Sequence, residues 1–136
     1  MADTFEFELV SPERLLFSER AEMVVVPGTE GNFGVLPGHS PFASTVRPDV
    51  IEIYENNKVK QRIFVGGGFA EVTPERLTVL ADEAVPVEQL DRGAIEAAIR
   101  QIEQDIADSD SDAERAPYQA RLAIEQAKLA VLGRPN

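Results

Sequence analysis

The residues best suited to chemistry lie together in one short stretch of the chain. The sequence GTEGNFGVLPGHSP, at positions 28–41, contains four glycines, two prolines and the only histidine, His39. Closely spaced glycines can cradle a phosphate, and a histidine beside a serine can act as a general base. A stiff loop shaped to contact another protein is the third interpretation.

The spacing of these residues disfavours phosphate binding and catalysis. A Walker loop has four residues between its glycines and then Gly-Lys, whereas these glycines stand at positions 28, 31 and 34 with no lysine after them. His39 has no acidic neighbour in the sequence and no nucleophile motif is present, which favours a histidine that hydrogen-bonds its own loop. With one histidine and no cysteine, we expect neither a metal site nor a cofactor.

The composition of the chain disfavours two further classes of partner. Asp and Glu number 24 against 13 Lys and Arg, which gives a net charge of −11. Such a charge repels nucleic-acid phosphates and anionic lipid headgroups, and no apolar run approaches the ~20 residues that span a bilayer. We therefore expect no nucleic-acid partner and no direct insertion into lipid.

The pattern of residues 1–86 predicts short strands separated by turns. In FEFELV, at 5–10, apolar and acidic residues alternate as they do in a strand with one buried face. VIEIYENNKVKQRIFVGGG, at 50–68, is typical of a hairpin that turns at Asn56-Asn57. Because no helical pattern alternates with these strands, an antiparallel sandwich or barrel is favoured over a parallel sheet.

The pattern of residues 87–136 predicts two amphipathic helices. Ile95, Ile99, Ile102 and Ile106 are spaced 4, 3 and 4 residues apart, on one stripe of a helix with Asp91 as a plausible N-cap. A second helical pattern follows the acidic connection ADSDSDA. A short connection between two such helices predicts an antiparallel helical hairpin.

Two stretches resemble the signatures of one family, the epsilon subunits of bacterial F-type ATP synthases, which correspond to mitochondrial delta subunits. GTEGNFGVLPGHSP resembles the family's loop, in which G-[ST]-E-G leads to G-x-x-P-G-H-[AS]-P. FVGGGFAEVTPERLTVLAD, at 64–82, resembles a second signature with a glycine pair, E-V and T-V-L-A-D. The resemblance covers essentially all 136 residues.

The resemblance implies a fold, partners and a function. The fold would be an all-β sandwich of about ten strands over residues 1–86, followed by a two-helix hairpin over 87–136. The subunit would be non-catalytic and would lie in the central stalk, where the sandwich binds the gamma subunit and the c-ring and couples c-ring rotation to ATP synthesis. Asn32 occupies a position that is acidic in some members. The positions that would face the c-ring are Thr29, Glu30, Gly31, Asn32 and His39.

The resemblance leaves the role of the hairpin open, because it blocks ATP hydrolysis in some members and binds ATP in others. ATP-binding members begin the first helix with L-D-x-x-R-A. Here Leu90 and Asp91 match, but Ala94 replaces the arginine, so we predict weak or no ATP binding. Inhibitory members use basic residues of the second helix. Candidates for contacts with the alpha and beta subunits are Arg115, Arg121 and Lys128.

Two alternatives to a stalk subunit stay open at this point. One is a generic β-sandwich adaptor with a regulatory helical hairpin, and the other is a small enzyme that depends on His39. Since no basic and apolar leader precedes the first predicted strand, we expect the bacterial version of the family. It would then lie on the cytoplasmic face of the inner membrane, as a peripheral part of the synthase.

Overall fold

The computed structural model describes residues 3–134, and its contacts divide the protein into two compact units, 1–86 and 87–136. The first unit contains eight strands and the second contains a short 3-10 helix and two α-helices. The strands are β1 (Phe5–Val10), β2 (Leu15–Ala21), β3 (Met23–Gly28), β4 (Gly31–Val35), β5 (Phe42–Glu55), β6 (Lys58–Val72), β7 (Arg76–Ala81) and β8 (Ala84–Pro86). The helices are the 3-10 turn Val87–Gln89, α1 (Arg92–Ala107) and α2 (Asp112–Leu132).

Apolar alternation predicted β1 and its buried face correctly. Phe5, Phe7 and Leu9 of β1 are at most 1% exposed, while the acidic residues between them lie on the other face. The β5–β6 hairpin turns at Asn56 and Asn57, whose φ angles of 53° and 63° lie in the left-handed region that asparagine tolerates. The predicted hairpin is therefore confirmed.

The strands form one hydrogen-bonded sheet in the order β2-β1-β7-β6-β5-β3-β4, with β8 paired to β6. All pairs are antiparallel except β1–β7, which is parallel. The predicted antiparallel sandwich is thus correct for every pair except this one. Since most of the unit separates β1 from β7 in sequence, the intervening strands make the crossover and no connecting helix is required.

The sheet folds over on itself to form the sandwich. Strands β2 and β6 are separated by β1 and β7 in the sheet order, which would place them about 14 Å apart in a flat sheet. Yet the Lys60 ammonium on β6 lies 3.0 Å from the Glu19 carboxylate on β2. This hydrogen bond and the Glu19 charge raise the pKa of Lys60. The core between the layers is apolar and includes Phe5, Phe7, Leu9, Val24, Val26, Ile51, Ile53, Leu77 and Val79.

The unit has eight strands instead of about ten because β5 and β6 are long and serve both layers. Strand β6 pairs with β8 through Ile63–Val65 and with β7 through Gly68–Val72. Where these segments meet, Gly67 and Gly68 have φ angles of 105° and 146°, which L side chains rarely adopt. The glycine run at 66–68 therefore marks the point where β6 changes its partner strand.

The second unit is the expected pair of helices. Asp91 caps α1, since its carboxylate accepts a hydrogen bond from the Ala94 amide at 3.2 Å, and the predicted N-cap is confirmed. Ser111 caps α2 by accepting from the Glu114 amide at 3.1 Å. None of the helices described between residues 3 and 134 has the length and apolar character needed to cross a membrane.

We expect Gly68→Ala to destabilise the sandwich by more than about 2 kcal/mol. A Cβ at this position would collide with the Leu80 carbonyl oxygen, and the φ of 146° adds backbone strain. The matched control is Gly34→Ala, whose Cβ would meet nothing closer than the Met23 sulfur at 3.9 Å. The free energy of unfolding of each full-length variant is measured by urea titration with detection by circular dichroism. Equal stability of the two variants would contradict the role given to Gly68.

Candidate functional site

The first part of GTEGNFGVLPGHSP forms a tight turn between β3 and β4, called here the β3–β4 turn (residues 28–32). Gly28 pairs with Gly31 across the hairpin, which leaves only Thr29 and Glu30 as loop residues. Gly31 has a φ of 133°, and a Cβ on Gly28 would lie 2.8 Å from the Gly31 carbonyl oxygen. These glycines are required by the geometry of the turn itself.

Thr45 of β5 holds one side of the β3–β4 turn. The Thr29 amide donates a hydrogen bond to the Thr45 carbonyl oxygen at 3.0 Å. The two threonine hydroxyls also share a hydrogen bond of 2.6 Å. Thr29 therefore satisfies its polar groups within the protein, although it is exposed.

Arg47 of β5 holds the other side of the same turn. Its Nη1 donates to the Gly28 carbonyl oxygen at 2.6 Å, and its Nη2 donates to the Asn32 side-chain oxygen at 2.7 Å. The carboxylate of Asp49 lies 3.3 Å from Nη2. Asn32 therefore uses its amide oxygen internally, as Thr29 uses its hydroxyl.

Glu30 is the exposed charge at the apex of the β3–β4 turn. Within residues 3–134, its carboxylate makes no hydrogen bond or ion pair, whereas the residues on either side of it belong to the hydrogen-bonded hairpin. A carboxylate presented on a backbone fixed at both sides is suited to an electrostatic contact with another molecule.

His39 lies in a second turn, between β4 and β5. Its amide donates to the Leu36 carbonyl oxygen at 3.1 Å, and Gly38, with φ 80°, donates its amide to Pro74 in the β6–β7 connection at 2.9 Å. The Nδ1 atom of the His39 imidazole lies 2.7 Å from the Ser40 carbonyl oxygen. The half-buried imidazole thus hydrogen-bonds its own loop, as the sequence predicted. This geometry provides no activated partner for catalysis.

A row of apolar side chains crosses the outer face of the sheet. Leu15, Val10, Leu80 and Phe69 stand opposite one another on β2, β1, β7 and β6, so they share one face. That face is opposite the core, because Leu9, Val79 and Ala70 on the alternate positions are buried. Leu15, Leu80 and Phe69 are 54%, 52% and 42% exposed. We call these four residues the outer apolar row.

The same outer face is charged beyond the outer apolar row. The Arg76 guanidinium on β7 bridges the carboxylates of Glu6 and Glu8 on β1, at 2.7 and 2.8 Å. Solvent-facing strand residues are normally polar, as they are here. The outer apolar row is thus the exception, and exposed apolar surface of this kind marks contact sites.

The sequence positions considered for nucleotide binding have structural roles in the second unit. Asp91 uses its carboxylate to cap α1, and the Leu90 amide donates to the Val87 carbonyl oxygen at 3.1 Å in the 3-10 turn. Ala94 is exposed and contributes the capped amide. Weak or no ATP binding stays a prediction.

The three basic candidates on α2 differ in how they are engaged. Arg115 lies 2.7 Å from the Asp112 carboxylate, and Lys128 lies 2.8 Å from the Glu125 carboxylate. Arg121 is exposed and has no ion pair within the part of the protein that the structure describes. It borders an open depression between α1 and α2, of about 460 Å³, beside Tyr118.

Sequence reasoning missed Thr45, Arg47 and the outer apolar row. Thr45 and Arg47 lie 16 and 15 residues from the residues that they hold, Thr29 and Asn32, so no local pattern connects them. The row is visible only when four strands are placed in register. No group of acidic, histidine or cysteine side chains between residues 3 and 134 is arranged to hold a metal ion.

Comparisons with known proteins agree on one family over nearly the full length. Residues 4–87 match the family model for the β-sandwich domain of the ATP synthase delta/epsilon chain, and residues 91–135 match that for the C-terminal domain of the ATP synthase epsilon chain. The ATP synthase epsilon chain of Rhodospirillum rubrum is 55% identical over 96% of this chain and 97% of its own length. That of Rhodospirillum centenum is 53% identical over 97% and 94%.

A solved structure supports the fold. A chain of the Euglena gracilis mitochondrial ATP synthase, determined as an OSCP/F1/c-ring assembly, is similar to this one with a TM-score of 0.78. The match covers 95% of this chain and 81% of the other at 24% sequence identity. The sandwich followed by a helix pair is thus a fold already seen in an ATP synthase.

We expect Asp91→Ala to destabilise the start of α1 by about 1 kcal/mol, because the Ala94 amide loses its hydrogen-bond acceptor. Asp91→Asn is the matched control, since asparagine caps helices about as well as aspartate does. Hydrogen exchange of the Ala94 amide measures the effect. Unchanged protection in Asp91→Ala would mean that the carboxylate has another task.

Proposed function

Because the chain belongs to the ATP synthase epsilon chain family, it is a non-catalytic central-stalk subunit of an F-type ATP synthase, and we propose that it connects the c-ring to the gamma subunit through two separate surfaces. Family membership excludes the generic adaptor, and the internal hydrogen bond of His39 gives no support to an enzyme. The two surfaces are the β3–β4 turn and the outer apolar row.

The β3–β4 turn is the proposed contact with the c-ring. The observation that carries this proposal is the exposed Glu30 carboxylate on a turn that Thr45 and Arg47 fasten from both sides. The side chains of Thr29 and Asn32 already form hydrogen bonds within the protein. Glu30 therefore carries the electrostatic contact with a basic loop of the ring. His39, on a neighbouring turn, contributes shape.

A rotor contact must transmit torque without yielding, and the β3–β4 turn is built for this. Its hydrogen bonds to Thr45 and Arg47 connect it to β5, the second-longest strand of the sheet. Two loop residues leave little conformational freedom compared with a longer connection. A load applied at Glu30 is therefore carried directly into the sandwich.

The outer apolar row is the proposed contact with the gamma subunit. Its three most exposed residues are large and apolar and face solvent in the isolated subunit. Burying such side chains supplies most of the free energy of a permanent subunit contact. The Arg76 ion pairs beside the row would form the polar rim of this contact.

The helical hairpin is the proposed contact with the alpha and beta subunits. Arg121 supports this role, because its guanidinium is exposed and unpaired among residues 3–134. Arg115 and Lys128 would first have to leave Asp112 and Glu125. Of these three basic candidates on α2, only Arg121 is therefore ready for a contact without first leaving a carboxylate within residues 3–134.

The proposed location is the cytoplasmic face of a bacterial inner membrane, as a peripheral part of the synthase. The relatives from Rhodospirillum species support a bacterial origin. Attachment would run through the c-ring, which fits a strongly acidic protein that anionic lipid repels.

We expect Glu30→Lys to weaken association with the c-ring about 30-fold and to lower proton-coupled ATP synthesis, because it replaces an attraction of roughly 1 kcal/mol by a repulsion of similar size. Glu55→Lys is the control, since it makes the same reversal of an exposed carboxylate at the other end of β5. Binding of reconstituted stalk to purified c-ring at low and high salt provides the measurement. An effect of Glu30→Lys that is equal to that of Glu55→Lys, or independent of salt, would refute the contact.

We expect Leu80→Lys to weaken binding to the gamma subunit about 10-fold, because a half-exposed leucine contributes roughly 1.5 kcal/mol when it is buried. Thr78→Lys is the matched control, since it changes the same strand and the same face but lies outside the outer apolar row. Calorimetric titration of gamma with each full-length variant measures the affinity. Equal losses for both variants would argue against the row as the docking surface.

A further inference from the structure

We propose that Arg47 is the positioning residue of the β3–β4 turn, which it holds in the shape that presents Glu30 to the c-ring. The proposal rests on the proposed ring contact and assigns a role to a residue outside both sequence signatures. Arg47 does not itself extend to the apex of the turn. It acts through the backbone of Gly28 and the side chain of Asn32.

The backbone ladder cannot perform this task alone. Pairing of β3 with β5 is interrupted between the pairs Val25–Glu52 and Gly28–Val46. Across this interruption β5 has five residues and β3 has only two, so the register of the two strands shifts as it does at a β-bulge. Pro27 lies in the gap and has no amide hydrogen to donate. Arg47 belongs to the stretch of β5 that is not paired with β3, and its guanidinium joins the strands where ladder hydrogen bonds are missing.

The contacts require the planar fork of an arginine. Two different nitrogens, Nη1 and Nη2, reach two acceptors on opposite arms of the hairpin, at 2.6 and 2.7 Å. Gly28 lies on β3 and Asn32 on β4, so the guanidinium joins both arms. A lysine offers one compact ammonium and does not reproduce this two-point geometry.

Asp49 orients the fork and balances its charge. One carboxylate oxygen of Asp49 lies 3.3 Å from Nη2, while the other accepts a hydrogen bond from the Val50 amide at 2.8 Å. The carboxylate is thereby fixed to β5 and in turn limits the rotation of the guanidinium. The positive charge beneath the turn is compensated locally, which leaves Glu30 as the uncompensated charge at its surface.

The arrangement also explains the amide at position 32. An acidic residue here would form an ion pair with Arg47 and would compete with Asp49 for the same guanidinium. Asparagine accepts the hydrogen bond without adding charge. Asn32 is thus part of the support of the turn, and the ring contact depends on Glu30.

Arg47→Ala and Arg47→Lys in the assembled complex test the proposal, alone and combined with Glu30→Gln. We expect Arg47→Ala to weaken c-ring association about 5-fold, and Arg47→Lys about 3-fold. If Arg47 acts through Glu30, Arg47→Ala has less than about a 2-fold further effect in the Glu30→Gln background. The matched control is Arg20→Ala, which removes two hydrogen bonds to Thr4 from an exposed arginine on β2.

Backbone relaxation measured by NMR on the full-length protein gives an independent readout. We expect order parameters of residues 29–32 to fall in both Arg47 variants while those around Arg20 and the rest of the sheet stay unchanged. Arg20→Ala should leave residues 29–32 as rigid as in the unmodified protein. Arg47→Lys keeps the positive charge but not the two hydrogen bonds of the guanidinium. It therefore separates the effect of geometry from that of charge, even if Arg47→Ala folds poorly.

The outcomes distinguish this proposal from the one on which it depends. If Glu30→Gln leaves ring association unchanged, the ring contact at this turn is wrong. If Glu30→Gln weakens association but Arg47→Ala and Arg47→Lys do not, the contact stands and the positioning role is refuted. If the effects of Arg47→Ala and Glu30→Gln on ring association were fully additive, the positioning role would also be refuted, because Arg47 would then act independently of Glu30.

Discussion

At Gly68 the backbone of β6 lies so close to the Leu80 carbonyl that no side chain fits between them. This approach lets one strand pair with β7 on one side of the bend and with β8 on the other. A single continuous sheet can then supply both layers of the sandwich and enclose the core. The same pairing sets Phe69 opposite Leu80 on the outer face. The proposed gamma contact thus depends on a glycine that touches no partner.

The two proposed surfaces depend on different kinds of interaction, which suits the different contacts proposed for them. The outer apolar row relies on burial of apolar area, which gives affinity with little directional preference. The β3–β4 turn relies on a fixed charge at Glu30, which gives orientation more than affinity. The proposed contact with the gamma subunit calls for affinity, and the proposed contact with the c-ring calls for orientation.

Most of the fold was predictable from sequence because the signals were local. Alternation in β1 and the asparagine pair at 56–57 placed strands and a turn correctly, and Asp91 marked the start of α1. The parallel β1–β7 pair and the continuity of β5 and β6 were not predictable, since long-range pairing decides them. For the site, the motif identified the exposed residue Glu30. Its supports are an arginine and a threonine on another strand, which no spacing rule connects to it.

The parallel pair also sets the order in which this unit can be completed during synthesis. Phe7 and Leu9 belong to the first strand made, yet their neighbours in the ladder are Leu77 and Val79 of β7. The hairpins β1–β2, β3–β4 and β5–β6 are local and can form as they emerge from the ribosome. Closure of the core must wait until β7 has emerged. The sandwich can therefore finish folding while the helical hairpin is still being translated.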